Sequence, residues 1–334
     1  MQKASKNMFS GPADSYPHLI GDIGGTNARF AMIAAPGAPI SHVATLRCAD
    51  YSGPLEAIHA WRTQQAAPTP RNGAIGIANP VTGDQLRLTN NPWAFSVEAL
   101  RQALHMEQLV FVNDFTALAL SLPHLGDAER YQVGTGVCIP GCAIGVIGPG
   151  TGLGVSGLIP SGKGYVPLGG EGGHVSLSPQ TDEEFALTAL LAREYGHVSA
   201  ERVLSGPGLI TLYRALAQVR GQTAQALDSA AITTAALSGT DALCAASLAM
   251  FCALLGSCAG NLALTLGARG GVFIGGGIVP RLGGYFAESA FRQRFEAKGR
   301  FSSYLAQIPT YVITANNPAL IGAAVALEQA VTRG

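Results

Sequence analysis

Asn113 and Asp114 stand where chemistry is easiest to place in this chain, after the apolar run Leu109–Val112 and before a stretch of alanines and leucines. That pattern predicts a strand at Leu109–Val112 and a helix from Phe115 to about Leu122. A carboxylate beside an amide, at a strand's carboxyl end and a helix's amino end, is placed to take a proton from a bound hydroxyl. The same position suits a helix cap, and a lone Asn-Asp pair reads first as a cap. Glycine turns on either side shift that balance. GDIGGTNARF at 21–30 and GPGTGLG at 148–154 each read as strand, Gly-Thr turn and returning strand. Amides and hydroxyls of two such turns, facing each other, can clamp a polyphosphate. Asp22, in the first turn, can hold magnesium through water. A third turn, Gly275–Gly277 with Pro280 at a helix start, lets backbone approach a flat base.

A second polar cluster lies downstream. Glu171 and His174 share one glycine-rich turn, which lets both point into one space, and Glu201 follows later. A ring of hydroxyls, each donor and acceptor, needs carboxylates, an amide and an imidazole at fixed positions. Each residue has a plainer reading as well. His174 can be a satisfied structural histidine or half of a metal pair with Glu171, although no third ligand stands nearby. Glu201 can form an ion pair with its neighbour Arg202.

The elements that must carry these groups alternate along the chain. Strands are expected at Leu19–Ile23, Arg29–Ala34, Ser41–Cys48 and Ala74–Ala78, with helices at 55–61 and from Ser96 to Leu104. A polar loop carries Asn90, Asn91, Pro92 and Trp93, and its tryptophan is expected near the site. A similar order begins again after Leu125. Strands are expected at Ala143–Gly148, Tyr165–Leu168, Gly271–Ile274 and Tyr311–Thr314, and helices at Phe185–Tyr195, Leu209–Val219 and Pro318–Gln329. This is an α/β chain whose sheets are not purely parallel, with an internal echo between its Gly-Thr hairpins.

Composition narrows the partners. The 334 residues suggest about two domains, and 21 basic against 21 acidic residues favour neither nucleic acid nor an acidic membrane surface. Six cysteines form no CxxC and no zinc spacing, and read as free thiols of a cytosolic protein. Ala242–Ala268 carries no charge and is long enough to span a bilayer. Its alanines, glycines and its polar line of Ser257, Asn261 and Thr265 suit a tightly packed core helix instead. Residues 1–17 lack the apolar core of a signal peptide and read as a disordered leader. GLIPSGKG at 157–164 nearly imitates a P-loop, but Gly164 stands where a Ser or Thr must bind magnesium. Lys163 is expected at a solvated hairpin tip.

The joint order of GDIGGTNARF (21–30), NDFTA (113–117), GPGTGLG (148–154), GGEGGH (169–174), ERVLSGPGL (201–209) and GGGIVP (275–280) resembles bacterial glucokinases. These are the proteobacterial hexose-kinase family of the actin-like ATPase (ribonuclease H-like) fold, and the resemblance runs from about residue 19 to the end. It implies two α/β domains with a cleft between them, a small one over 18–124 plus 315–334 and a large one over 125–314. It implies ATP-dependent phosphorylation of D-glucose to glucose 6-phosphate, with Asp114 as general base. Sugar contacts would come from Asn113, Asp114, Glu171, His174 and Glu201. Phosphate contacts would come from Gly21, Asp22, Ile23, Gly24, Gly25, Thr26 and Thr151, and Gly275, Gly276 and Gly277 would face adenosine. Mg2+ would accompany ATP, and the family suggests a cytoplasmic homodimer. The zinc-binding Cys/His signature of a sister family of sugar kinases and repressors is absent. The rival readings are a kinase for another hexose or an N-acetylhexosamine, one that uses polyphosphate in place of ATP, and a non-catalytic sugar-sensing relative. A regulator of that last kind would carry a basic helix-turn-helix, and none precedes residue 19.

Overall fold

The computed structural model describes Phe9 and residues 11–88, 91–162 and 164–332; Asn90 and Lys163 lie outside the described residues. The chain divides into two compact units, one of Met1–Leu125 with Ala315–Gly334, the other of Gly126–Thr314.

The first unit runs β1 (His18–Ile23), β2 (Asn27–Ile33), β3 (Ser41–Arg47), α1 (Pro54–Gln65), β4 (Asn72–Ile77), β5 (Gln85–Arg87), β6 (Ala94–Ser96), α2 (Val97–Ala103), β7 (Gln108–Asn113) and α3 (Asp114–Ser121). Its main sheet has the order β3-β2-β1-β4-β7. β1, β4 and β7 are parallel, while β2 returns antiparallel from the Gly-Thr turn and β3 from the next. Both faces are covered, which is why β1 and β4 read as near-continuous buried runs. Leu19, Phe30, Ile75 and Phe111 pack on one face with Trp61 and Trp93. Ile20, Ala31 and Ala74 pack on the other with Leu320, Ala323 and Leu327 of the C-terminal helix Pro318–Val331.

Two sequence expectations fail here. The described part of the leader is packed, because Phe9 and Tyr16 cover apolar surface beside Leu327, and the Gly37 amide donates to the Phe9 carbonyl at 2.6 Å. Trp93 is not at the site: it is 1% exposed in the sheet's core, and its Nε1 donates to the Tyr51 carbonyl at 3.0 Å. An indole offers too much apolar area to leave wet when a core is one turn away. The loop's polar contribution comes from Asn91.

The second unit runs β8 (Arg130–Val133), β9 (Ile144–Pro149), β10 (Leu153–Ser161), β11 (Gly164–Leu168), α4 (Asp182–Tyr195), α5 (Gly206–Val219), α6 (Ser229–Ser238), α7 (Ala242–Leu266), β12 (Val272–Ile274), α8 (Gly284–Glu288), α9 (Phe291–Glu296), α10 (Ser302–Ala306) and β13 (Thr310–Ile313). The sheet order is β11-β10-β9-β12-β13-β8. Its first five strands repeat the first unit's order and directions, hairpin first and parallel strands after. The echo in letters is therefore an echo in topology. α7 is the charge-free segment. It is long and apolar enough to cross a membrane, yet 67% of its most apolar stretch is buried. Its glycines have a packing reason: a Cβ on Gly256 would strike the Phe291 carbonyl, so α9 crosses at backbone contact.

Candidate active site

The first group of candidate side chains sits at the carboxyl ends of β1, β4 and β7. Asn113 ends β7, and its Oδ1 accepts from the amides of Phe115 at 3.0 Å and Thr116 at 3.2 Å. Asn113 is thus the helix cap, and Asp114 opens the first turn of α3. The Asp114 Oδ1 accepts from the Phe115 amide at 2.8 Å. Burial pushes this carboxyl up to about 6, the Phe115 amide opposes that, and the negative charge of Asp22 adds to it. Asp22 reaches the same edge by register, since it pairs with Gly76 of β4, which pairs with Val112 of β7. The Asp22 carboxylate lies over Gly76, where a Cβ would stand 3.8 Å from Oδ1.

Burial also raises the Asp22 carboxyl, and the Arg29 guanidinium at 3.7 Å pulls it back. The hairpin register puts Arg29 directly across from Asp22, and Arg29 Nε donates to Thr45 Oγ1 at 3.1 Å. Of the residues expected at phosphate, Gly21 and Ile23 are buried within β1, whereas Gly24 and Gly25 are half-buried and Thr26 is exposed at the turn. Buried Asn91 donates to the Gly24 carbonyl at 3.4 Å, and the Cys48 amide donates to the Thr26 carbonyl at 2.9 Å. No group of three or more His, Cys, Asp or Glu side chains among the described residues could cage a metal ion. A lone, partly ion-paired carboxylate fits a magnesium ion that arrives on phosphates and keeps its waters.

The second group gathers around Leu153, the first residue of β10. The turn that precedes it, Gly150–Gly152, holds Thr151 exposed, and the Gly150 amide donates to the Gly152 carbonyl at 2.8 Å. The Leu153 amide donates to Glu201 Oε2 at 2.8 Å, while a Cβ on Gly173 would strike the Leu153 carbonyl. Glu171 and His174 are exposed on that same tight turn, with the His174 amide donating to the Glu171 carbonyl at 3.0 Å. Segment 175–177 then pairs antiparallel with 198–200, through the bridge Ser176–Ser199 and a 2.9 Å bond from the Ala200 amide to Val175. That bridge brings together the two short helical turns that carry His174 (Gly172–His174) and Glu201 (Ala200–Arg202). The adenosine candidate, Gly275–Gly277, leaves the end of β12 against the end of β9: the Gly275 amide donates to the Ile147 carbonyl at 2.9 Å, and a Cβ on Gly276 would strike the Pro149 carbonyl.

The four unit-two candidates other than the strand-end turn of β12, Thr151, Glu171, His174 and Glu201, therefore gather around Leu153. Two carboxylates and an imidazole stand there next to a hydroxyl-bearing turn, which can recognise a ligand rich in hydroxyls and hold an anionic tail. The ion-pair reading of Glu201 with Arg202 is replaced, since Glu201 bonds Leu153 and Arg202 lies over the Tyr195 ring at 4.2 Å. Sequence reasoning missed Arg29, Asn91, Cys48 and Gly206. Only Arg29 had a signal, because a short turn at 24–26 fixes which residue faces Asp22.

Comparison with known proteins shows the family to which the chain belongs. The glucokinase family profile matches residues 19–330. A glucokinase of Aromatoleum aromaticum is 56% identical over 97% of this chain and 98% of its own length. One from Chromobacterium violaceum is 51% identical over 95% of this chain and 91% of its own. A crystal structure of glucokinase from an Antarctic psychrotroph superposes with a TM-score of 0.87 at 41% identity, covering 94% of this chain and 99% of that one. A Balamuthia mandrillaris glucokinase, crystallised with glucose, shares the fold at a TM-score of 0.74 and 20% identity, over 96% and 93% of the two chains. The chain belongs to the glucokinase family.

Proposed function

We propose that this protein transfers the γ-phosphoryl group of ATP to the 6-hydroxyl of D-glucose, giving glucose 6-phosphate and ADP. The observation that carries the reading is Asp114, a carboxylate at the end of β7 that Asn113 relieves of capping and that burial raises to about 6. A base of that strength is ionised near neutral pH and still basic enough to share a proton with a sugar hydroxyl. Asp114 takes the hydroxyl proton as the oxygen attacks phosphorus; the bond from phosphorus to the ADP oxygen breaks, and the proton stays on Asp114 until water removes it. Phosphoryl transfer is mainly positioning and charge neutralisation.

The remaining groups bind and orient the substrates. Glu171, His174, Glu201 and Asn113 orient the sugar. Gly24–Thr26 and Thr151 meet the phosphates with amides and hydroxyls, and Gly275–Gly277 lies against adenosine. Magnesium, when bound with ATP, neutralises phosphate charge, and Asp22 holds it through water. The reading includes the actin-like ATPase fold and the cytoplasmic homodimer that the resemblance implies.

The test is a coupled assay of the purified chain with glucose, ATP and magnesium, run beside other hexoses, N-acetylmannosamine and polyphosphate. Glucose with ATP should give the highest kcat/KM. No turnover of glucose, or a higher kcat/KM for another acceptor or donor, would overturn the assignment.

A further inference from the structure

We propose that Glu201 is a positioning residue for the turn that carries Thr151, so that one carboxylate serves both the sugar and the nucleotide. The inference rests on the reading of Gly150–Gly152 as a phosphate turn. Glu201 Oε2 accepts from the Leu153 amide at 2.8 Å, and a charged acceptor makes the stronger kind of hydrogen bond. The carboxylate lies so close that a Cβ on Gly152 would stand 2.5 Å from Oε2. The segment after Glu201 grips the other end of the same turn: the Gly206 amide donates to the Gly150 carbonyl at 2.7 Å. Ser205 ties these two grips together. Its Oγ donates to the Glu201 carbonyl at 3.0 Å and accepts from the Gly208 amide at 2.9 Å, which fixes the start of α5.

Residues 201–206 thus clamp the turn from both sides, Glu201 on Leu153 and Gly206 on Gly150. The commitment of Oε2 leaves Oε1 for a hydroxyl of the sugar. A sugar that fastens Oε1 stills the carboxylate and with it the Leu153 amide, so the turn is ordered before the phosphates arrive. Coupling of this kind is reciprocal: sugar tightens nucleotide binding by the same factor as nucleotide tightens sugar.

Titration calorimetry with the non-hydrolysable analogue AMPPNP, with and without glucose, tests this on the full chain. Glu201→Ala removes the acceptor, and Gly152→Ala drives the carboxylate off Leu153 while keeping it; the Gly152 backbone is not left-handed, so alanine meets no φ strain there. Both should weaken AMPPNP binding without sugar by about tenfold or more. Glu201→Gln keeps an oxygen for Leu153 and should hold AMPPNP within about fivefold, while glucose affinity falls by more than that. In turnover, KM for ATP should rise in the first two variants by more than kcat falls, which general loss of structure would not produce. AMPPNP binding at the parent level in folded Glu201→Ala and Gly152→Ala overturns the inference alone. A parent chain that binds no AMPPNP overturns the phosphate reading and the inference together. Should Glu201→Ala fail to fold, Gly152→Ala and Glu201→Gln decide between these outcomes.

Discussion

Asn113, not Asp114, caps helix α3, and the adjacent carboxylate is left at the head of the first turn. The amide oxygen meets two of the orphan donors, Phe115 and Thr116. Asp114 receives one short bond from Phe115, too little to offset its burial beside Asp22. The result is a carboxyl raised to about 6 on a rigid strand-to-helix junction.

Removing the Asn113 side-chain oxygen should therefore cost stability. Asn113→Ala should lower unfolding free energy by about 1 kcal/mol, whereas Asn113→Asp, an equally good cap, should lose stability only as pH rises and the two neighbouring carboxyls ionise together. The new charge in Asn113→Asp lies beside Asp114 and should push its carboxyl further up, so the acid limb of the rate profile moves to higher pH. Denaturant titration and a pH–rate profile check both halves.

Activity should fall as pH drops through about 6, where Asp114 takes up a proton and ceases to act as a base. Stability follows the opposite course for this group. Its folded value lies above the ordinary 3.8, so protonation favours the fold: the contribution is fully present below about 4 and is lost as pH rises through about 6. Asp114→Asn should consequently stabilise the fold above pH 6 by about 1–3 kcal/mol, a gain that vanishes below about pH 4. Thermal unfolding of both proteins across that range tests the sign.

Much of this was legible in the chain. The apolar run before Asn113 and the helix after it lie within a residue of expectation, as β7 and α3. Gly-Thr hairpins were legible because a tight turn between apolar runs admits little else. Short elements were not. β5 and β6 have three residues each, β8 has four, and α8 to α10 have six or fewer, too few to show a period. The bond from Leu153 to Glu201 spans 48 residues and arises from pairing of 175–177 with 198–200, which no local pattern announces. Trp93 misled because polar neighbours suggested a surface loop, and its ring turns inward.

Glu171 and Glu201 should part company in mutants. Glu171 is exposed on the Gly173 turn, and its carboxylate serves the sugar alone in this account. Glu171→Gln should weaken glucose by about 5–150-fold and leave AMPPNP binding in the absence of sugar unchanged. Calorimetry that shows equal losses for both ligands would make Glu171 structural.

The central claim is that Asp114 accepts the proton of the sugar hydroxyl, and turnover of Asp114→Asn tests it most directly. Asparagine keeps the size, an oxygen for Phe115 and the Asn113 cap, so the protein should fold and bind glucose and ATP within about tenfold of the parent. Single-turnover and steady-state assays at pH 7.5 should then show kcat lower by about 10²–10⁴. A pure, folded variant that turns over within about threefold of the parent would contradict the account.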